Sequence, residues 1–380
     1  MAALKLKRFF NYDESFIAFN TKYLMLVGLW PNKKWTRNQK IYYKIYEFVL
    51  HTLSLVFLAL SSIGIYNNIQ DITVVLASLD KCLVAYNFEL KIIVFMFKKE
   101  KIRNLLEEMI ASGDMMEENH KALMVKLSAA TTIISTVIVS VFSLLAFIAG
   151  DMPVEMWLPF DTSKSFMNLL AGTQISLITF GVPICYRGLG IKSFISTMIM
   201  FLRDQLVDLQ IKIKELQYSK DKKEEMRMDF KKIVKKHIRL IRYSNSMENM
   251  FKEYFLIQNL AITIELCLNA IMVTLVGLNQ KTLTANFIAF LIMSLIHAYL
   301  YCYLGNELVV QSEGIAVAAY DSAWTSWPTD LQKDLLTIIV ASQKPLKLTA
   351  GGMAPMSLQT YALTVYNGYS IFAVLKDVVN

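Results

Sequence analysis

The chain runs toward its end through Thr360-Tyr361-Ala362-Leu363-Thr364-Val365-Tyr366-Asn367-Gly368-Tyr369-Ser370-Ile371-Phe372-Ala373-Val374-Leu375. From Leu348 to Leu375 it contains no Asp, Glu, Lys or Arg. Such a run can cross the hydrocarbon core of a bilayer, which takes about 20 apolar residues. Yet it carries Thr360, Thr364, Asn367 and Ser370, polar groups that cost free energy in lipid unless they meet partners or water. A terminal span with a polar interior points to a helix bundle or a pore rather than to a simple anchor.

Outward from this run the pattern repeats. Phe48–Gln70, Leu127–Gly150, Ser165–Tyr186 and Thr282–Asn306 are also free of Asp, Glu, Lys and Arg, and Tyr254–Gln280 is interrupted only by Glu265. A further stretch, about Ile72–Phe97, holds Asp80, Lys81, Glu89 and Lys91, so hydropathy alone leaves it doubtful. Charge asymmetry decides for it. With seven spans and a cytoplasmic N-terminus, Lys and Arg number 8 in residues 1–40, 6 in 98–126, 14 in 202–252 and 3 in 309–354. That places 31 on one side against Lys164, Lys281 and Lys376 on the other. The excess of basic residues in cytoplasmic loops then predicts the N-terminus inside and the C-terminus outside. Omitting the doubtful span would move the basic 98–126 segment outside.

Composition agrees with a membrane protein. Hydrophobic residues make up 55% of the chain, mean hydropathy is +0.40, and 18% of residues are charged, against about 25% in soluble domains. The N-terminal Met1–Phe10 has no apolar core for a cleaved signal peptide, so insertion is expected to begin at the first span. Cys82, Cys185, Cys267 and Cys302 lie in or beside apolar runs without paired spacing and read as buried thiols rather than zinc ligands or a disulfide framework. The net charge of +8 reflects the asymmetric loops. The run Lys231-Lys232 … Lys235-Lys236-His237 reads as a solvated cytoplasmic helix beside anionic head groups, not as a nucleic-acid site. Leu206, Leu209, Ile213 and Leu216, then Ile233, Ile238 and Ile241, keep helical spacing, so the fourth and fifth spans are expected to continue as helices into the cytoplasm. No linker, repeat or low-complexity tract divides residues 1–380, which read as one domain.

No Gly-rich phosphate loop, His-Glu-x-x-His or Gly-x-Ser-x-Gly is present, so the chain reads as no enzyme, and neither a metal nor a cofactor is expected. His51, His120, His237 and His297 are scattered, and His297 reads as a hydrogen-bonded structural residue within a span. Glu265 is an intramembrane carboxylate, a costly feature expected to face the bundle interior.

The C-terminal residues Tyr301-Cys302-Tyr303, Gly305, Ser312, Ile315-Ala316, Tyr320 and Trp324, then Gln343-Lys344-Pro345-Leu346, Ala350-Gly351-Gly352, Met356-Ser357-Leu358 and Tyr369-Ser370-Ile371-Phe372, closely resemble the signature of the insect odorant receptors. The resemblance is dense over residues 300–376, and Leu26-Val27-Gly28-Leu29-Trp30-Pro31 looks like the family's N-terminal re-entrant segment. Gustatory relatives usually carry a Gln after the closing Thr-Tyr pair; here Ala362 follows Thr360-Tyr361, which favours the odorant branch. The resemblance implies an all-α membrane protein with seven transmembrane helices and an orientation opposite to G-protein-coupled receptors. It also implies a cytoplasmic anchor from about residues 202–252 and 305–345 and a pore helix at about 355–376. The implied activity is an odorant-gated, non-selective cation channel in the plasma membrane of olfactory sensory neurons. The modest 202–252 segment suggests a ligand-tuning subunit that forms a heterotetramer with the longer shared co-receptor. Its further partners would be a small volatile organic ligand, permeant cations and membrane lipid, without nucleic acid. A seven-span G-protein-coupled-type chemoreceptor or a gustatory-type channel is the alternative.

The family places its ligand in the outer halves of helices two, three, four and six. The corresponding residues here are Leu79, Cys82 and Leu83, then Ser140, Ser143 and Phe147, then Gln174 and Ile178, then Phe287 and Phe290. Ser140, Ser143 and Phe147 are spaced to share one helix face. On the last helix the resemblance puts the constriction at Tyr369, with Ala362, Tyr366, Ala373 and Lys376 on its face; Thr360, Thr364 and Asn367 form a rival polar stripe, expected to bond to neighbouring helices.

Overall fold

A computed structural model of the protein describes residues 15–70, 72–217, 223–276 and 281–379, with side chains 72–74, 77, 276, 281–286 and 375–379 outside the description. Short α1 (Ala18–Leu26) precedes a set of long helices. These are α2 (Arg37–Asn67), α3 (Ile72–Ala111), α4 (Glu118–Ala149), α5 (Phe166–Phe180), α6 (Arg187–Lys214), α7 (Lys223–Val276) and α8 (Lys281–Tyr320). α9 (Thr329–Ser342), a hairpin of β1 (Thr349–Ala350) and β2 (Ala354–Pro355), and α10 (Leu358–Val379) complete the chain. Among the described residues, stretches 37–67, 118–149, 166–214, 223–275 and 287–320 are long and apolar enough to cross a membrane. α3 and α10, at 40 and 22 residues, have the length as well. The first carries four charges in its first half and the second carries Thr360, Thr364, Asn367 and three tyrosines.

Local chemistry sets the helix ends. Thr36 and Gln39 form a reciprocal capping box at the start of α2, with the Thr36 N–H donating to Gln39 Oε1 at 3.0 Å. α4 stops at Gly150, whose φ of 84° lies in the left-handed region, and the Asp151 N–H closes back on the Ala146 carbonyl at 2.9 Å. α5 and α6 form one rod joined by a π-helical turn, Gly181–Tyr186, around Pro183. Proline has no N–H to give to the residue four back and crowds that carbonyl, so the ladder widens there instead of breaking. In the hairpin, Gly351 and Gly352 take φ values of +64° and +80°, which side chains other than glycine rarely adopt.

One end of the molecule gathers the basic segments. There α6, α7 and α8 run on past the span-length runs and pack with α9 into a continuous apolar core that includes Leu206, Phe230, Tyr243, Leu308, Trp327 and Leu335. Polar bonds fasten the same end. Gln210 donates to the Gln311 carbonyl at 2.8 Å, the Leu346 N–H to Ser312 Oγ at 2.9 Å, and the Gly351 N–H to the Lys252 carbonyl at 2.8 Å. Lys236 departs from the solvated reading of its run. It is buried and donates to Asp208 Oδ2 at 2.6 Å, Gln205 Oε1 at 2.7 Å and Asp114 Oδ1 at 3.2 Å, tying the turn between α3 and α4 to α6 and α7. A lysine run looks solvated in sequence because its acidic partners lie 28 and 122 residues away. All four cysteines are free and buried.

Candidate functional site

Away from the basic end, α3, α4, α5, the π turn and α8, with α6 and α7 on the inner side and Phe57 of α2 on the outer, enclose two adjoining cavities that share Val84, Val139, Phe180 and Phe290 as walls. The outer one, about 60 Å³, is mostly apolar, with Phe57, Phe142, Leu177, Pro153 and Val154 among its walls. Pro153 and Val154 belong to the loop after α4, which is anchored by the Trp157 N–H on the Leu60 carbonyl at 2.9 Å. Lys81 stands 4.5 Å from the Phe142 ring centre, and Phe142 meets Phe290 edge-on at 6.0 Å. The wall is therefore aromatic with a cation folded onto its face.

The inner cavity, about 80 Å³, is polar on one side, where Asn87, Lys192, Gln258, Glu265, Ser294 and His297 converge from four helices, α3, α6, α7 and α8. Asn87 Nδ2 donates to Glu265 Oε1 at 3.2 Å and Ser294 Oγ to Glu265 Oε2 at 2.9 Å. Lys91 donates to Gln258 and lies 5.3 Å from the Tyr254 ring. Asn269 connects this group to Asp80, donating to its Oδ1 at 2.8 Å. The carboxylate expected inside the bundle is thus held by two side-chain donors. His297 lies on the same wall, and its buried Nε2 has no hydrogen-bond partner among the described residues. Sequence reading isolated Glu265 but not its neighbours. Asn87 lies 178 residues away in the chain, and only intramembrane charge at Lys91 and Lys192 could have signalled the cluster.

The sequence-selected pocket residues fall in different places. Ser143 and Phe290 line the cavities. Ser140 and Ile178 line an open groove on the other side of the α4–α5 contact, together with Leu50, Tyr46 and Tyr186. Cys82 and Phe287 are buried, Leu83 is half-buried, and Phe147 packs edge-on against Phe166 at 5.4 Å. Leu79 and Gln174 are exposed. On α10, Ala362, Tyr366 and Tyr369 are exposed and Ala373 is half-buried, while Lys376 has its side chain outside the described residues. The stripe divides. Thr360 and Thr364 are buried and bond to the carbonyls of Pro355 and Thr360, at 2.5 and 2.8 Å, so the second bond stays within α10. Asn367 is exposed. α10 meets α7 at Gly368, where an added Cβ would lie 3.0 Å from Leu266 Cβ.

Relatives carry the same architecture. The chain is similar to insect olfactory receptor OR5 from Machilis hrabei, solved alone and in complex with eugenol; the two chains superpose with a TM-score of 0.80 at 18% identity, over 95% of this chain and 97% of that one. It is 27% identical to Odorant receptor 30a of Drosophila melanogaster over 60% of this chain, and that match spans 59% of the relative's length. It is 25% identical to Odorant receptor 10 of Aedes albopictus over 67% of this chain and 68% of the relative. The 7tm Odorant receptor family profile matches residues 67–369, most of the chain and all of its long helices after α2 in whole or in large part. This all-α chain belongs to the insect odorant receptor family and is a receptor rather than an enzyme.

Proposed function

We propose that the protein is the ligand-tuning subunit of an odorant-gated cation channel in the membrane of olfactory sensory neurons, assembled as a heterotetramer with the family's co-receptor. Its N-terminus lies inside and its C-terminus outside. The basic end, residues 202–252 and 305–345, serves as the cytoplasmic anchor between subunits. A small volatile ligand occupies the paired cavities, and α10 lines the pore through Tyr366, Tyr369 and Ala373, with Lys376 near its outer end.

One observation carries the reading. Glu265 and Leu266 are neighbours on α7, and the first lines the inner cavity while the second packs on Gly368 of α10. A ligand that shifts α7 by a fraction of an ångström at Glu265 moves the seat of α10 directly. The contact at Gly368 leaves no room for a side chain to absorb the shift. On the other face of α10, the exposed tyrosines can form an apolar constriction that excludes ions until they swing aside. The test is a panel of volatiles applied to cells expressing this chain with and without the co-receptor. Inward cation currents that require both chains are expected. Currents from the co-receptor alone that this chain leaves unaltered for every volatile would overturn the reading.

A further inference from the structure

The inner cavity is short of acceptors for its buried cations. Lys91 has Gln258 and the faces of Tyr254 and Phe88. Glu265, the carboxylate on the wall of this cavity, is already engaged by Asn87 and Ser294. Lys192 has neither. It is 5% exposed, its Nζ makes no hydrogen bond among the described residues, and its one cation contact is the Tyr301 ring at 6.0 Å. His297 Nε2 is a second nitrogen on the same cavity without a partner. An ammonium removed from water and left unpaired costs several kcal/mol, so a receptor that keeps one beside a cavity gains most from a ligand that brings the missing acceptor. The space beyond is apolar, closed by Phe180, Phe290, Phe142 and Val154.

Resting on the ligand-binding reading above, we propose that this receptor takes a small amphiphilic carboxylate, its head accepting hydrogen bonds from Lys192 Nζ and His297 Nε2 and its hydrocarbon tail entering the outer cavity past Phe290. Two oxygens match two donor nitrogens. The ligand would restore charge balance around Lys91, Lys192 and Glu265, and neutral odorants of the same skeleton would leave Lys192 unpaired.

The experiment compares hexanoate, methyl hexanoate and 1-hexanol on the wild-type chain and on Lys192→Met, both co-expressed with the co-receptor. Hexanoate should be at least about tenfold more potent than its ester on the wild type. In Lys192→Met that preference should vanish, the ratio of hexanoate to ester potency falling to about one. A second readout is independent of gating. In detergent, hexanoate should raise the thermal midpoint of the wild-type chain more than the ester does, and Lys192→Met should erase the difference. Lys192→Met alone should also be at least as thermostable as the wild type, because it replaces an unpartnered buried amine with an apolar side chain of similar length. If the variant fails to reach the cell surface, Lys192→Arg, which keeps the charge, should retain preference for the acid. Equal stabilisation of the wild type by acid and ester overturns the proposal, as does a hexanoate preference that survives Lys192→Met. Acid-selective stabilisation lost in Lys192→Met, without currents from any volatile, would leave this site standing and defeat the gating reading instead. Currents from 1-hexanol with no preference for the acid would do the reverse.

Discussion

Ser140 and Ser143 lie one turn apart on α4, yet Ser143 is buried on the outer cavity and Ser140 opens onto the groove outside it. Three residues on a helix differ by about 60° in direction, enough to straddle the edge between cavity and outer surface. Periodicity tells which residues are neighbours but not where such an edge falls, and that is why the sequence selected both. Ser143→Phe should crowd the outer cavity and raise the half-maximal odorant concentration by at least about tenfold, equivalent to about 1.4 kcal/mol, at unchanged surface expression. Unchanged potency for every active odorant would remove Ser143 from the site. On α10, Tyr369→Ala deletes an exposed ring from the proposed constriction. Basal current or ion permeation should change while odorant rank order holds, since the proposed ligand residues sit on other helices. Asn367→Ala is the control; altered permeation there alongside normal currents in Tyr369→Ala would place the pore on the Asn367 face of α10 instead of the Tyr369 face.

Among the elements, the rod made of α5, the π turn and α6 shows how one irregularity builds a site. Phe180 precedes the wide turn and Cys185 lies within it, and both line the inner cavity. Pro183→Ala restores the missing donor and permits a regular helix, which would turn α5 relative to α6 by about 100° for each residue of register lost. Surface expression should persist, while odorant potency falls several-fold; unaltered dose–response curves would show that the wide turn is incidental. Of the elements, α3 was the hardest to read. Its Asp80 and Lys91 depress hydropathy, yet the fold answers them with Asn269 and Gln258 of α7. Partners 167 and 189 residues distant leave no local pattern. The charge-free helices, by contrast, were legible because each needs nothing but its own composition to cross a bilayer.

For the molecule as a whole, the distribution of basic residues is the property with the clearest consequence, 31 in the segments proposed to be cytoplasmic against 3 in those proposed to lie outside. An epitope tag after Asn380 should bind antibody on intact cells, and one before Met1 only after permeabilisation. The reverse labelling would revive a G-protein-coupled-type topology. The cavities had no signature in the sequence, since their walls come from elements scattered over more than two hundred residues and are joined only by packing. α7 unites these scales. It is a single helix of 54 residues, about 80 Å long, against a hydrocarbon core of about 30 Å. Cavity, the seat of α10 and the basic end are therefore indexed to one screw. Inserting or deleting one residue within it, between the Lys252 contact and Glu265, would change the phase of one station against the others by about 100°. Such a receptor can vary the side chains along this helix freely for new odorants but cannot vary its length, so the diversification open to it is by substitution, with insertions confined to the segment before Lys223.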